Sequence, residues 1–439
     1  MAREIRKTSN KKFSAKENTK EYAKKFSIKK KVDLIHFKDI VDRITPDASS
    51  ENQAFDTASK FINALNKDIK KINARAILGG SGAKGTWLDL FDIDVFVKFN
   101  YGKYKDKTDK LSDLLHPFIK SHNPERLRGS RDYFIIKKGG FSIEVVPILD
   151  IKESKQALNI TDVSPLHTEY VNRRLRNKKA KNDVKLLKKF LKTAGIYGAE
   201  SYVQGFSGYV CELLIINYKS FNSLIKDASK WHDKVFIDIE KFYKGKNINI
   251  ELNKSKLVSP MVIIDPVQKD RNAAAAISSE SFTRFKEVCS AFLKNPSEKF
   301  FQEQELNIDV LKKSNVVVQA STSGKHDVAG ARLLKVFEYL REKLEGYGFK
   351  AKSGWKYSDE KAVFWFSAKD LDNEVVITGP PVLMKSHVLN FKKKHKQVFE
   401  KNKIMYAREK RKFTKIRDCL DMLIKTNYVK ERVISVKIL

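Results

Sequence analysis

A run of glycines carrying one hydroxyl and one lysine, Gly79-Gly80-Ser81-Gly82-Ala83-Lys84-Gly85, is followed at short range by Asp92 and Asp94, separated by a single isoleucine. The first half suits anions. Glycine lets the backbone approach a triphosphate closely, the turn's N–H groups and the Ser81 hydroxyl can donate to phosphate oxygens, and Lys84 adds charge. The second half suits cations. In a strand, the period of two sends Asp92 and Asp94 to one face, and two like charges so close are costly unless cations sit between them, which makes a pair of Mg²⁺ ions the natural occupant. Glu144, alternating with Ile143 and Val145 in "FSIEVVP", offers a third carboxylate from a neighbouring strand. In such a clamp one ion lowers the pKa of an attacking hydroxyl, while the other holds the triphosphate and stabilises leaving pyrophosphate.

Two rival readings of the glycines fail on context. From Gly80 to Gly85 the spacing is G-x-G-x-x-G, but a dinucleotide-binding turn must open a long helix, and here the chain runs almost at once into "DIDVFV". A phosphate-loop ATPase needs lysine after the last glycine, where this chain has Thr86. Alone, the glycines are an ordinary loop and the aspartates a solvated strand end; jointly, with a third carboxylate following, they select nucleotidyl transfer.

The elements that must position these groups are legible in outline. Phe55, Ala58, Phe61, Ile62, Leu65, Ile69 and Ile72 recur at helical spacing between Ser50, a candidate cap, and Asn73. Two strands, "DIDVFVKF" and "FSIEVVPIL", flank a helical stretch that includes "TDKLSDLLHPFIKSH", giving an α/β head that ends near Asp150. A helix is expected from Asp183 to Thr193, capped by Asn182, with Leu186, Leu187, Phe190 and Leu191 as its apolar face and Gly195 and Gly198 stopping it. A mostly helical middle follows. Proline and charge replace apolar pattern between Asn295 and Asn315, and beyond it a helix from Ala331 to Leu344, "AVFWFSA" and "EVVITGPPVL" indicate a second α/β unit with antiparallel strands. The expected fold class is α+β and multidomain: a basic extension over 1–32, a catalytic head over 33–150, a neck over 151–295, and a C-terminal α/β body and tail over 296–439.

Composition narrows the partners. The chain has 439 residues, and 87 Lys and Arg against 53 Asp and Glu give a net charge of +34, which favours a polyanion such as RNA or DNA. Its 3 cysteines are far apart and lack metal-ligand spacing, which suits a reducing cytoplasm and argues against disulfides or a zinc site. Apolar runs such as "YVCELLIINY" are shorter than the ~20 residues a bilayer requires, so no membrane partner is expected.

With these residues in place, "GGSGAKGTWLDLFDIDVFV" and the later "IEVVP" resemble the head of class I nucleotidyltransferases. "SPLHTEYV", "VKLLKKFLKTAGIYGAE", "GFSGYVCELL", "DPVQKDRNAAAAIS" and "GPPV" follow in the order of the archaeal CCA-adding enzymes, which build the 3′-terminal CCA of tRNA without a template. The resemblance covers roughly 45–415, and it implies that the neck over 151–295 binds nucleotide and tRNA and that the body and tail over 296–439 bind tRNA. It implies that Asp92, Asp94 and Glu144 hold two Mg²⁺ ions; that Ser81 and Lys84 meet the triphosphate from the head; that Ser164, His167, Lys188 and Tyr197 meet it from the neck; and that Arg271 reads the incoming base of CTP or ATP with help from the RNA backbone. In two places the chain departs from the family pattern: Glu144 stands where aspartate is usual, and Asp92 where glutamate is common. The head motif is shared with poly(A) polymerases and oligoadenylate synthetases, which the neck segments disfavour. A non-catalytic RNA-binding protein would have no reason to keep three adjacent carboxylates. A homodimer stays open as an assembly.

Overall fold

The computed structural model describes residues 35–89, 92–303, 305–358 and 360–439, in two compact units divided after Gln304. The basic extension expected over 1–32 lies outside the described residues.

Among the described residues the first unit begins with α1 (Phe37–Ile44) and α2 (Ala48–Ile69). Asp47 caps α2 by accepting from the Ser50 N–H. Ser50, expected as the cap, sits one turn inside, its hydroxyl donating to Asp47 at 2.8 Å. An acidic cap also complements the positive end of the helix dipole. Ala54, Ala58, Phe61, Leu65 and Ile69 form a buried stripe on α2.

A five-stranded sheet follows, in order β1-β2-β5-β4-β3: β1 (Ala74–Leu78), β2 (Ile93–Asn100), β3 (Glu125–Leu127), β4 (Tyr133–Lys138) and β5 (Phe141–Asp150). Between β1 and β2 lies the short helix α3 (Gly80–Lys84), and between β2 and β3 lies α4 (Leu111–Ile119). β2 and β5 pair in parallel, whereas the other pairs are antiparallel. Ile93, Val95, Val97 and Phe99 of β2, with Ile143 and Val145 of β5, turn one sheet face into a core shared with α2 and α4. Alternation therefore sends Asp94 and Glu144 to the other face. The sequence reading found β2 and β5 but not β1, β3 or β4. β1 reads Ala-Arg-Ala-Ile-Leu and lacks a β-branched run, so its strand state comes from pairing with β2.

The middle of the chain is mostly helical: α5 (Ser164–Arg174), α6 (Lys178–Thr193), α7 (Gly208–Tyr218), α8 (Phe221–Ala228) and α9 (Ser279–Lys294), with a small parallel pair, β6 (Val235–Ile237) and β7 (Met261–Ile263). α6 starts before the expected Asp183, because Asn177 and not Asn182 accepts from the Ala180 N–H and caps it. Gly195, at φ +74°, closes it. Its apolar face joins a second core in which Phe190 meets Phe221 and Phe292 edge on face, Phe301 meets Phe292 likewise, and Ile40, Val41 and Ile44 of α1 belong to this core. Asp265 follows β7 in a loop.

The second unit spans Glu305–Leu439. A four-stranded antiparallel sheet carries one helix, α10 (His326–Gly346), and a three-stranded antiparallel sheet carries another, α11 (Lys385–Lys394). "AVFWFSA" and "EVVITGPPVL" are strands, as read, but belong to different sheets of this unit.

Candidate active site

The Gly-Ser turn and the aspartates are parts of one corner. Gly79 N–H donates to the Asp94 carbonyl at 2.8 Å, so the chain leaving β1 is pinned to the start of β2. Gly80 takes φ +56°, and a Cβ there would stand 1.6 Å from Asp94 Oδ2. Only glycine fits both the dihedral and the space. The stretch expected as a flexible turn is thus helix α3, and the Ser81 N–H at its first turn donates to the Asp94 carboxylate.

The parallel pairing brings the third carboxylate alongside, because Asp94 and Glu144 are direct register partners on β2 and β5. Asp92 lies just before β2. All three line one pocket of about 230 Å³, and Ser81, Lys188, Lys192 and Tyr197 line the same pocket. Burial pushes the Asp94 carboxyl up to about 6; the nearby Lys84 charge opposes that rise and the Asp92 charge adds to it. A carboxylate so destabilised lowers its energy by taking up a proton or a cation.

The donor set is oxygen only, mounted on two paired strands and the residue before one of them, which fits a hard divalent cation such as Mg²⁺. Among the described residues no three His, Cys, Asp or Glu side chains converge on a ready metal position. The backbone fixes which carboxylates share the wall.

Lys188 reaches this wall from α6, its ammonium donating to the Thr86 carbonyl at 2.8 Å. Tyr197 follows the Gly195 stop, and its hydroxyl would lie 3.2 Å from a Cβ on Gly208, at the first turn of α7. Burial pushes the Tyr197 phenol pKa upward, keeping it a neutral donor.

Three expected residues are placed differently. Lys84, expected at the triphosphate, does not line the pocket: its ammonium is buried against Glu212 Oε2 at 2.6 Å, because the C-terminal end of α3 faces α7. His167 and Arg271 gather instead around Asp265. His167 Nε2 lies 2.9 Å from Asp265 Oδ2, Arg271 Nη1 donates to the same oxygen at 2.5 Å, and the Tyr209 hydroxyl donates to Oδ1 at 3.1 Å. The His167 ring stacks on Tyr209 with centroids 4.2 Å apart. Burial would raise the Asp265 carboxyl, but the hydrogen bond and charge of His167, the Val267 N–H and Arg271 hold it down at about 2. Ser164 begins α5, whose Asn172 donates to the Ala83 carbonyl at 3.0 Å and so holds this helix against α3.

The residues missed from sequence are Glu212, Asp265, Tyr209, Thr86 and Lys192. A signal existed for two of them. Glu212 is the one charge within "GYVCELLII", and Asp265 ends the apolar run "MVIID"; an acid embedded in apolar sequence must find buried partners.

An oxygen-lined carboxylate wall on a mixed sheet, facing a Gly-Ser helix, is the arrangement of a nucleotidyltransferase, and residues 58–167 match the nucleotidyltransferase domain family. Residues 182–302 match the second domain of tRNA nucleotidyltransferases. The CCA-adding enzyme of Nanoarchaeum equitans is 35% identical over 330 residues, covering 73% of this chain and 80% of that one. That of Methanothermobacter thermautotrophicus is 30% identical over 384 residues, 83% of this chain and 82% of that one. That of Sulfurisphaera tokodaii is 31% identical over 388 residues, 86% and 88%. The chain belongs to the CCA-adding enzymes. Among solved structures, a cytoplasmic RNA terminal U-transferase covers 62% of this chain at 14% identity and a TM-score of 0.47, too distant a likeness to assign an activity.

Proposed function

We propose that this enzyme adds CCA to the 3′ end of tRNA, using CTP twice and ATP once and releasing pyrophosphate at each step. The observation that carries the reading is the register of Asp94 with Glu144, which puts two carboxylates side by side on the wall that Asp92, Ser81, Lys188 and Tyr197 also line. Asp92, Asp94 and Glu144 would hold two Mg²⁺ ions, which when bound supply activation of the tRNA 3′-hydroxyl and neutralise charge on the departing pyrophosphate. Ser81 and the α3 backbone, with Lys188 and Tyr197, bind and orient the triphosphate. Asp265 fixes Arg271 by one end of its guanidinium, so that the planar fork meets the base edge together with the RNA backbone. His167 is held by the same carboxylate, and Ser164 begins the helix that carries it. The surplus of basic residues suits a tRNA-sized polyanion. All three cysteines are free and buried, as suits work in a reducing cytoplasm. Among the described residues no helix is long and apolar enough to cross a membrane.

The test is incubation with tRNA lacking its last three nucleotides, with each nucleoside triphosphate alone and in combination. CTP alone should extend the tRNA by two residues, and ATP should complete it only afterwards. Long homopolymer tails from ATP alone would instead mark a poly(A) polymerase.

A further inference from the structure

Three charged side chains with almost no exposure meet behind the carboxylate wall, and the nucleotide chemistry above uses only one of them directly. Glu212, on the otherwise apolar α7, is fully buried, Lys84 on α3 keeps 10% of its side-chain exposure and Lys188 on α6 keeps 3%. Both Glu212 oxygens are engaged. Oε2 takes the Lys84 ammonium at 2.6 Å, and Oε1 accepts the Thr86 hydroxyl at 2.7 Å and lies 3.9 Å from the Lys188 ammonium. Lys188 is held from the other side by the Thr86 carbonyl at 2.8 Å and hydroxyl at 3.3 Å.

Two consequences follow from this geometry. Glu212 ties together three elements, because Lys84 closes the helix that carries Ser81, Thr86 follows it, and Lys188 comes from the neck. The group also holds two cations against one anion, with the buried Asp94 carboxyl, which feels both lysine charges, as the next anion. Lys188 opens on the pocket where a triphosphate would lie. We propose that Glu212 is a positioning residue for the nucleotide: it fixes α3 against Lys188 and holds the Lys188 ammonium charged, away from water, at the pocket where a triphosphate would lie. The proposal rests on the nucleotidyl-transfer reading of the pocket.

The surroundings support it. Burial lowers the Lys188 pKa and the Glu212 charge pulls it back up, while Lys84 and Lys192 lower it further and Cys211 opposes them. Burial would raise Glu212, yet the two lysines hold its carboxyl below the ordinary value. Asp94 feels both lysine charges, Tyr197 stands near Lys188 across Gly208, and Lys181 reaches over Gly85.

Glu212→Gln keeps the size and the hydrogen bonds but removes the charge, so Lys188 should lose its proton more easily. KM for CTP should rise about tenfold at about pH 8.5 and come back to within about threefold of the parent at about pH 6.5, with KM for tRNA unchanged. A purely structural role predicts a loss that is equal at both pH values, and that result overturns the proposal, as does an unchanged KM. Glu212→Asp, which keeps the charge, should show no such pH dependence. If Glu212→Gln does not melt as a folded protein, Lys84→Met decides. It unties the helix that carries Ser81 from Glu212 and should raise the CTP KM about tenfold, whereas an unchanged KM overturns the proposal. The parent is assayed in parallel on tRNA lacking CCA: if it incorporates neither CTP nor ATP, the functional reading fails; if it is active, only the role of Glu212 is at stake.

Discussion

Gly80→Ala separates the cost of a strained backbone from the cost of a displaced carboxylate. An alanine at φ +56° carries a left-handed penalty of about 1–2 kcal/mol. Its methyl would also stand 1.6 Å from Asp94 Oδ2, and contacts below 3.0 Å are not tolerated, so that oxygen must retreat by about 1.4 Å. A misplacement of ~1 Å in a reacting constellation costs about 10²-fold in rate. The expected result is therefore a modest loss of stability, about 1–3 kcal/mol, with a fall in CMP incorporation of 10²-fold or more. Gly140→Ala is the control. Its φ is +82° but a Cβ there meets nothing within 4 Å, so it should lose similar stability and keep its activity. Urea unfolding and single-nucleotide incorporation on tRNA lacking CCA read the two quantities. If Gly80→Ala keeps activity within about threefold of Gly140→Ala, the Asp94 carboxylate does not need its present place and the site assignment falls.

Two further outcomes are expected. Since the folded Asp94 carboxyl titrates at about 6 against an ordinary 3.8, the native state binds the extra proton in that window, and this contribution to stability is present below about pH 4 and lost as pH rises to about 6. Without divalent cations the loss should reach up to about 3 kcal/mol, Mg²⁺ should reverse it at neutral pH, and Asp94→Asn should remove it; equal pH slopes for variant and parent would refute the shift. Phe190→Ala, which removes a ring centred 5.5 Å from Phe221 and 5.7 Å from Phe292, should cost about 3–5 kcal/mol in unfolding free energy, and a cost under about 1 kcal/mol would mean that this core repacks around the gap.

The sequence by itself determined the local chemistry. The spacing Asp92-Ile93-Asp94 put two carboxylates at the start of one strand, Glu144 among apolar neighbours marked the third, and the glycines before them suited a close backbone approach. These follow from covalent geometry and strand period, which act over a few residues. Helix starts were less legible, since Asp47 and Asn177 cap where Ser50 and Asn182 were expected; several residues near each helix start could serve, and the choice depends on how the helix packs.

What only the tertiary structure decided is who meets whom. The pairing of Asp94 with Glu144 needs β2 and β5 to lie parallel and in one register, although β3, β4 and α4 intervene between them. Lys84 was read as a phosphate ligand because its neighbours suit phosphate, yet it turns to Glu212, 128 residues away, since a buried carboxylate draws the nearest cation more strongly than solvent does. His167 and Arg271 are likewise claimed by Asp265, 98 and 6 residues away. Pattern within a segment is written in the side chains themselves, whereas partnership between distant charges is set by which groups folding removes together from water, and a linear reading carries no distance between them.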